Sequence, residues 1–312
     1  MDNTPLNSSF VLTMQVFDIP SVGKYPAFLL GIAIYFFSVL CNLAVLVVIV
    51  VERRLHTPMY IILFSLPLND LIGITSVVPQ VVLSILTERN MTYYPLCVFQ
   101  AFLTHMYGGA VLLILTAMAF DRYIAICNPL RYNTIMTTHT VIKLIALVWG
   151  FDFILIGTLF VLLLRLPTCR NNISNVFCDN PSLLKLTCAA TVVNNIYGLF
   201  ITAVLQVISI SAVIYTYIKI LLTCLVKRQA DARSKAINTC VSHLLVFVLF
   251  QFVSAFTILS YRFENISSNL RKITFMSLML FPPLLNPLIY GLKTKEIRNT
   301  LMKVFKTRVL IK

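Results

Sequence analysis

Three adjacent polar residues, Asp121, Arg122 and Tyr123, directly follow a long apolar stretch, "MYGGAVLLILTAMAF". A guanidinium at the edge of a hydrocarbon layer is costly to hold alone, and Asp121 is a carboxylate beside it. An ion pair there can hold one arrangement of helices closed and release it in another, which is how a switch behaves. The alternative is a static arginine that snorkels to the headgroups and anchors the end of a helix.

The other side chains that could do chemistry are few and scattered. The four histidines have no metal-ligand spacing, and no combination of serine, histidine and acid, or of two carboxylates, suits a hydrolase. The acids inside apolar segments are Asp70 and Asp152, with Asp121 at a segment's end. The sequence therefore predicts a protein that is not an enzyme and that carries no catalytic metal or cofactor.

Composition places these residues in a membrane protein. Of 312 residues, 59% are hydrophobic and only 12% are charged, against about 25% charged in soluble domains. A helix needs about 20 apolar residues to cross a bilayer, whereas the strands of a membrane barrel are shorter and alternate. We predict an all-α bundle of seven transmembrane helices in one domain, residues 1–312, with an N-terminal tail (1–25), the bundle (26–291) and a cytoplasmic tail (292–312). The predicted spans are 26–50, 58–86, 97–126, 140–164, 194–222, 236–260 and 272–291.

The distribution of basic residues predicts the orientation. With the N-terminus outside, 17 of the 25 lysines and arginines fall on the cytoplasmic side, which is the positive-inside asymmetry. The net charge of +14 then needs no nucleic-acid partner, because a cytoplasmic face beside anionic lipid accounts for it. The predicted location is the plasma membrane with an extracellular N-terminus, and four glycosylation motifs fall on that outer side. Their acceptor residues are Asn7, Asn90, Asn172 and Asn265.

Four of the eight cysteines also lie in predicted outer segments, where the compartment is oxidising. Cys97 is at the outer end of the third span, and Cys169, Cys178 and Cys188 share the loop between the fourth and fifth spans. Four cysteines allow three pairings, and their spacing does not choose among them.

A set of motifs that spans the chain resembles one family. The segment "MAFDRYIAICNPLRY" (118–132) is similar to the hallmark of olfactory receptors, a branch of the rhodopsin-like G-protein-coupled receptors. Three further segments resemble other hallmarks of that family: "LHTPMYIILFSLPLNDL" (55–71), "KAINTCVSHL" (235–244) and "PPLLNPLIYGLKTKEIR" (282–298). The loop "CRNNISNVFCDNPSLLKLTC" (169–188) resembles its cysteine-rich outer loop, and the fish-like, class I members are the most similar. Gln251 departs from the pattern, since an aromatic residue is usual there.

The resemblance implies an activity and a set of working residues. The chain would bind a small odorant in the outer half of the bundle and activate a heterotrimeric G protein of the adenylyl cyclase-stimulating, olfactory type. Cys97 would pair with Cys178 and Cys169 with Cys188, and the cytoplasmic tail would form an amphipathic helix on the membrane. The residues implied for the switch are Asp121, Arg122, Tyr123, Tyr217, Asn286, Pro287 and Tyr290, and those for a polar centre that often holds sodium are Asn42, Asp70 and Asn286.

Helical spacing outlines a candidate ligand site near the odorant pocket that the resemblance implies. One face of the third span and one face of the sixth would line it, with weaker candidates on the fifth. Two adjacent glycines would leave room for a small ligand, although glycines in membrane helices more often serve close packing. The candidate ligand residues are His105, Gly108, Gly109, Leu112, Thr202, Leu205, Gln251, Ser254, Ile258 and Arg262.

The sharpest hypothesis about the ligand concerns Arg262, at the outer end of the sixth span. Its guanidinium suits a carboxylate, so the preferred odorants would be small acids or similarly polar acceptors. Snorkelling to the headgroups, or pairing with Glu264, explains the residue as well. The main rival function is a transporter, which predicts substrate flux in vesicles instead of ligand-dependent nucleotide exchange, and which often shows internal repeats that this sequence lacks.

Overall fold

Seven long helices dominate the computed structural model, which describes residues 11–17, 19–87, 90–226, 230–260, 266–293, 296–300 and 302. Each helix contains a stretch that is long and apolar enough to cross a membrane. This confirms the predicted seven-helix fold and a multi-pass membrane protein. The helices are α1 (Ser21–Val51), α2 (Pro58–Thr87), α3 (Tyr94–Cys127), α4 (Thr138–Leu164), α5 (Val192–Val226), α6 (Ala230–Ser260) and α7 (Ser268–Lys293).

Most of the helices begin before the predicted spans do. α1 starts at Ser21 rather than residue 26, and α6 starts at Ala230 rather than 236. The apolar run marks only the part of a helix that lies in hydrocarbon, where every backbone group must be satisfied internally. The same intrahelical hydrogen bonds continue into the interface, where polar residues are tolerated, and hydropathy does not detect that extension.

α3 is the central helix of the bundle. Its residues from Tyr107 to Leu115 are almost all buried, on every face of the helix, apart from a half-buried Gly108. α1 and α5 instead keep one apolar face outward, with exposed residues such as Leu29 and Val207. Lipid tails are as apolar as these side chains, so close packing and internal polar contacts, more than burial of apolar area, hold the helices together.

A small sheet covers one end of the bundle, the end that is predicted to face outward. β1 (Val11–Met14) pairs antiparallel with β2 (Met91–Tyr93) and parallel with β3 (Asn172–Ile173), giving the order β2-β1-β3. Leu12 and Met14 of β1 point inward and are buried. The sequence predicted only a tail here, because a strand of four residues is too short to show a clear alternation.

Two disulfide bonds fasten the long outer loop. Cys97 is joined to Cys178, with Cα atoms 5.2 Å apart, and Cys169 is joined to Cys188, with Cα atoms 6.0 Å apart. The N–H of Cys178 also donates to Oε1 of Gln100 on α3, at 2.8 Å. Both bridges are those that the resemblance implied, and the first ties the loop to the start of α3.

At the opposite end of the bundle, which is predicted to be cytoplasmic, a short turn follows α3. A 3-10 turn at Pro129–Arg131 leads into a short helix at Tyr132–Ile135, which folds back toward α3. Beyond α7, residues 296–300 are helical and Ile297 is buried. The hydroxyl of Tyr60 on α2 donates to Oε2 of Glu296 at 3.3 Å. The predicted amphipathic tail is therefore helical and docked on α2 where it is described; most of its later residues lie outside the described part.

Candidate functional site

The carboxylate of Asp121 holds donors on both of its oxygens. Arg122 donates to Oδ2 through Nε at 2.9 Å and also through Nη2, while the hydroxyl of Tyr132 donates to Oδ1 at 2.8 Å. Asp121 is fully buried and the Arg122 side chain is only 18% exposed. Because both carboxylate oxygens accept hydrogen bonds, this ion pair holds the end of α3 in one closed arrangement. Opening the pair would leave a charged group that needs a new partner.

Tyr132 is a member of this cluster that sequence reasoning did not single out. It lies at the end of the quoted segment 118–132, 11 residues from Asp121, and the turn at Pro129–Arg131 brings the two together. Burial and the neighbouring Asp121 carboxylate raise the pKa of the Tyr132 hydroxyl, so it stays protonated and donates at neutral pH. Its position in the motif was the available signal, but a periodic pattern cannot reveal contacts made across a turn.

A second polar contact joins α5 to α6. The hydroxyl of Tyr217 lies 2.5 Å from Nδ1 of His243 and 3.2 Å from the carbonyl oxygen of Cys240. The two rings are stacked, 9° from parallel. His243 belongs to the segment "KAINTCVSHL" (235–244), which resembles a family hallmark, but the sequence predicted no role for it; its partner is a predicted switch residue on another helix.

Asp70 and Asn286 meet in the middle of the bundle, and Asn42 is held by a neighbouring group. Asn286 donates through Nδ2 to Oδ2 of Asp70 at 2.9 Å. Asn42 donates through Nδ2 to the carbonyl oxygen of Pro283 at 2.7 Å, as does the hydroxyl of Ser38. All of these side chains are buried.

Pro287 explains why the Pro283 carbonyl is free to bind α1. A proline has no N–H, so the carbonyl four residues before it in a helix loses its usual donor. In α7 that carbonyl belongs to Pro283, and Asn42 and Ser38 of α1 supply the missing hydrogen bonds. Pro287 thus creates a polar link between α1 and α7.

Several oxygens around this centre are buried without a hydrogen-bond partner in the described part of the chain. They include Asp70 Oδ1, Asn42 Oδ1 and the hydroxyls of Tyr107 and Tyr290. Carboxylate and amide oxygens are hard ligands of the type that alkali and alkaline-earth cations prefer. Asp70 and Asn42 therefore fit the chemistry of the sodium site that the resemblance implied, with Tyr107 as a neighbour that sequence reasoning missed. The occupancy of that site stays a prediction.

The predicted ligand residues on α3 do not all face the same neighbours. His105 bonds through Nδ1 to the carbonyl oxygen of Ala101 at 2.8 Å, and its ring packs edge-on against Phe160 of α4. Gly108 has open space where a Cβ would stand. A Cβ at Gly109 would instead clash with Oδ1 of Asp152 and would lie 3.3 Å from the Leu205 side chain. Gly109 thus makes room for an α4 carboxyl group and follows the packing alternative.

The predicted residues on α5 and α6 make mostly local hydrogen bonds. The Thr202 hydroxyl donates to the carbonyl oxygen of Gly198, and that of Ser254 donates to the carbonyl oxygen of Gln251. Gln251 also donates through Nε2 to the Ser209 hydroxyl at 3.2 Å, which joins α6 to α5. Leu112 and Leu205 are buried and Ile258 is half-buried.

A groove of about 610 Å³ runs between α5 and α6, but it faces outward. It is lined by apolar residues such as Ile214, Val248 and Phe252, all of which are exposed on the outside of the bundle. Of the predicted ligand residues only Gln251 is among its lining residues in the described part of the chain. Lipid tails suit such a surface, and the groove is separate from the predicted odorant site.

Three of the predicted site residues lie in parts of the chain that the structure does not describe. Arg262, Asn265 and Asn7 lie outside the described residues. Asn172 is exposed at the edge of β3, and Asn90 is half-buried just before β2. Glycosylation at all four asparagines stays a prediction.

The contact between Gly109 and Asp152 supports a first testable prediction. Gly109→Ala should lower the thermal stability of the detergent-solubilised protein, because overpacking a helix contact costs about 1–3 kcal/mol. The double variant Gly109→Ala with Asp152→Ala should recover most of that loss, since the opposing carboxyl group is gone. Gly150→Ala on the outer face of α4 is the matched control, because its Cβ would meet nothing within 4 Å. Equal melting temperatures for Gly109→Ala and Gly150→Ala would contradict the contact.

The helices, the disulfide-fastened loop and the polar contacts match a known class of protein. The family model described as "Olfactory receptor" matches residues 32–308. The chain is 36% identical to human (Homo sapiens) olfactory receptor 52B2 over 91% of this chain and 90% of that protein. It is 36% identical to human olfactory receptor 51I2 over 85% of each, and 34% identical to mouse (Mus musculus) olfactory receptor 8G50 over 91% of each.

The seven-helix bundle with these motifs is a class A G-protein-coupled receptor. Within that class the chain belongs to the olfactory receptor family. It is therefore a receptor and not an enzyme, and its ligands are small odorant molecules. The relatives do not separate the class I members from the others, so the finer resemblance stays a prediction.

Proposed function

We propose that this receptor binds its odorant in the outer half of the bundle, between α3, α5 and α6, and activates an adenylyl cyclase-stimulating G protein of the olfactory type. In this arrangement the N-terminus is extracellular at the plasma membrane. The observation that carries the proposal is the closed Asp121–Arg122 pair at the cytoplasmic end of α3, with the Tyr217–His243 contact between α5 and α6.

The cytoplasmic contacts form a latch, by which we mean Asp121, Arg122, Tyr132, Tyr217 and His243. The first three hold the end of α3 to its following turn, and the last two hold α5 to α6. A G protein needs a cleft at this face, so activation would separate these groups and free the Arg122 guanidinium for a new partner. Ion pairs and hydrogen bonds that can be either closed or open give such a latch two discrete states, as a molecular switch requires.

The polar centre connects the latch to the ligand site. The Asp70–Asn286 contact and the Pro283 carbonyl join α2, α7 and α1. Oxygens beside these contacts that have no partner among the described residues make alternative hydrogen bonds available without new residues. A ligand that shifts α3 or α6 in the outer half would alter this centre and, through α7 and Tyr290, the cytoplasmic end.

The orientation rests on the outer disulfides and on charge. Both bridges lie at the end of the bundle opposite Arg122, and disulfides persist in oxidising compartments. The excess of lysine and arginine is at the Arg122 end. If an antibody could bind an epitope tag on the N-terminus only after the cells were permeabilised, this orientation would be contradicted.

The experiment that tests the proposed function is an odorant panel applied to cells that express this receptor and the olfactory-type G protein. A cyclic AMP rise that needs both receptor and G protein is the expected result. The rival transporter instead predicts uptake of a compound into receptor-containing vesicles without any G protein. Uptake without nucleotide exchange on the G protein would overturn the proposal.

Arg262 supports a separate prediction about odorant class. If its guanidinium pairs with the ligand, Arg262→Ala should raise the half-maximal concentration for a small carboxylic acid by about tenfold or more, as losing a charge-assisted hydrogen bond of ~1.5–3 kcal/mol would. The response to the matched alcohol or ester should change little. An equal change for acid and ester would show that Arg262 is not the ligand's counter-ion.

A further inference from the structure

Asp152 is a fully buried acid in the membrane that the proposed latch and polar centre do not use. It lies on the inward face of α4, in line with the buried Val148, Ile156 and Leu159. Its carboxyl group touches Gly109 of α3. The Leu205 side chain of α5 also lies close to Gly109, 3.3 Å from where a Cβ would stand. In the part of the chain that the structure describes, neither of its oxygens has a hydrogen-bond partner.

The surroundings of Asp152 favour its neutral form. An ionised carboxylate in an apolar site is costly unless a cation or several donors face it. The contact identified for its carboxyl group is with Gly109, and among the described residues no lysine, arginine or histidine forms an ion pair with it. As a carboxylic acid it carries an O–H donor, and a buried donor without an acceptor costs about 1–3 kcal/mol.

Several polar side chains of the predicted ligand site do not share this condition. The hydroxyls of Thr202 and Ser254 donate to carbonyl oxygens of their own helices, and Gln251 donates to Ser209. Buried polar groups in folded proteins are almost always paired, and the unpaired ones, of which Asp152 is one, call for an explanation such as a ligand.

The position of Asp152 is next to the predicted odorant site. The carboxyl group contacts Gly109, a packing residue one position from Gly108, which helical spacing predicted to line that site. Gly108, the neighbouring residue on α3, has open space where a side chain would stand. A small molecule lying against this part of α3 would be within reach of the Asp152 carboxyl group.

We propose that Asp152, as a neutral carboxylic acid, is a ligand-binding residue that donates a hydrogen bond to the carbonyl oxygen of a small odorant such as a ketone, aldehyde or ester. The inference rests on the proposed odorant site and names the chemistry of its inner wall. An amine would fit less well, because proton transfer would leave an ion pair among apolar groups with no further donors. An acid whose carboxylate pairs with Arg262 would engage a different part of the receptor, so the two hypotheses are tested separately.

The test starts with infrared difference spectra of the purified receptor, which need no G protein. We expect a protonated-carboxyl band that is absent from Asp152→Asn, with Asp70→Asn used to assign any band from the other buried acid. Saturating methyl pentyl ketone should shift the Asp152 band, whereas the parent alkane should not. Absence of the band, or a band that the ketone leaves unmoved, would overturn the proposal.

Cell assays with one alkyl chain carrying a ketone, an alcohol, an amine or no polar group provide the second readout. Asp152→Asn keeps an N–H donor of similar size and should retain the ketone response, whereas Asp152→Leu should weaken it by about tenfold, the equivalent of one hydrogen bond. Surface delivery of each variant is measured alongside, with Gly150→Ala as the control on the same helix. A ketone response equally lost in Asp152→Asn, or a parent receptor that prefers the amine, would assign Asp152 as a charged group and contradict the inference. If no odorant drives nucleotide exchange in the parent receptor, the proposed function fails instead, while the infrared result still decides the role of Asp152.

Discussion

Replacing Arg122 by alanine is expected to reduce odorant-driven cyclic AMP production to the level of cells without odorant. The guanidinium is the cationic half of the latch, and its two contacts with Asp121 are charge-assisted hydrogen bonds. Removing it leaves a buried carboxylate whose remaining hydrogen-bond donor among the described residues is the Tyr132 hydroxyl, and it also removes the group that we propose meets the G protein. Odorant binding, measured on purified receptor, should remain, because the change is at the opposite end of the bundle.

The control for this variant is Arg54→Ala. The Arg54 side chain is 89% exposed, and its Nε lies 4.0 Å from Oε1 of Glu52. An ion pair that is this exposed to solvent contributes little to stability. It removes the same charge from the same face of the membrane without touching the latch. A full cyclic AMP response from Arg122→Ala, at matched surface levels, would contradict the assignment of the latch. A loss of response in both variants would point to the charge of the face rather than to the Asp121–Arg122 pair.

Cys97→Ser is expected to abolish delivery of the receptor to the cell surface. Its bridge to Cys178 closes a loop of 81 residues, and loss of a disulfide typically costs about 2–5 kcal/mol. The loop that it fastens also carries β3, which pairs with β1, so the outer cap loses its attachment to α3. Surface immunostaining, together with the fraction of protein retained inside the cell, measures the effect.

The second bridge gives an internal comparison. Cys169 and Cys188 are only 19 residues apart. Because a shorter loop loses less entropy when it is closed, breaking this bridge should cost about 1 kcal/mol less stability than breaking the first. Cys41→Ser is the control, because Cys41 is a free cysteine on α1. Mass spectrometry that found Cys97 as a free thiol in surface-delivered receptor would rule out the bridge as the cause.

Much of the fold could be predicted because the bilayer imposes it. A chain in hydrocarbon must satisfy its backbone hydrogen bonds within each segment, so an apolar run of sufficient length has to be a helix. The count of seven helices and the middle portion of each follow from this constraint. So does the burial of Asp70 and Asp121 inside the bundle, away from lipid. The family motifs added both disulfide pairings, which the cysteine spacing alone had left open.

The site was predicted less completely, because spacing along a helix does not say which neighbour a side chain meets. Gly108 and Gly109 are adjacent and equivalent in the sequence, yet one borders open space and the other borders Asp152. His105 was expected to face the ligand site, and its ring lies against Phe160 of α4. Each outcome depends on how far α3 is rotated against α4 and α5, and that rotation is set by the packing of all the helices together.

The sequence by itself determined the seven membrane helices, the class of protein, and the residues that had to be polar and inward-facing, because hydrocarbon penalises every unpaired polar group in the same way. Only the tertiary structure decided the partners: Tyr132 for Asp121, His243 for Tyr217, and the Pro283 carbonyl for Asn42. It also revealed that Asp152 has no hydrogen-bond partner among the described residues. These contacts join residues far apart in the chain or across a turn, and their geometry comes from helix packing, which leaves no local pattern in the sequence.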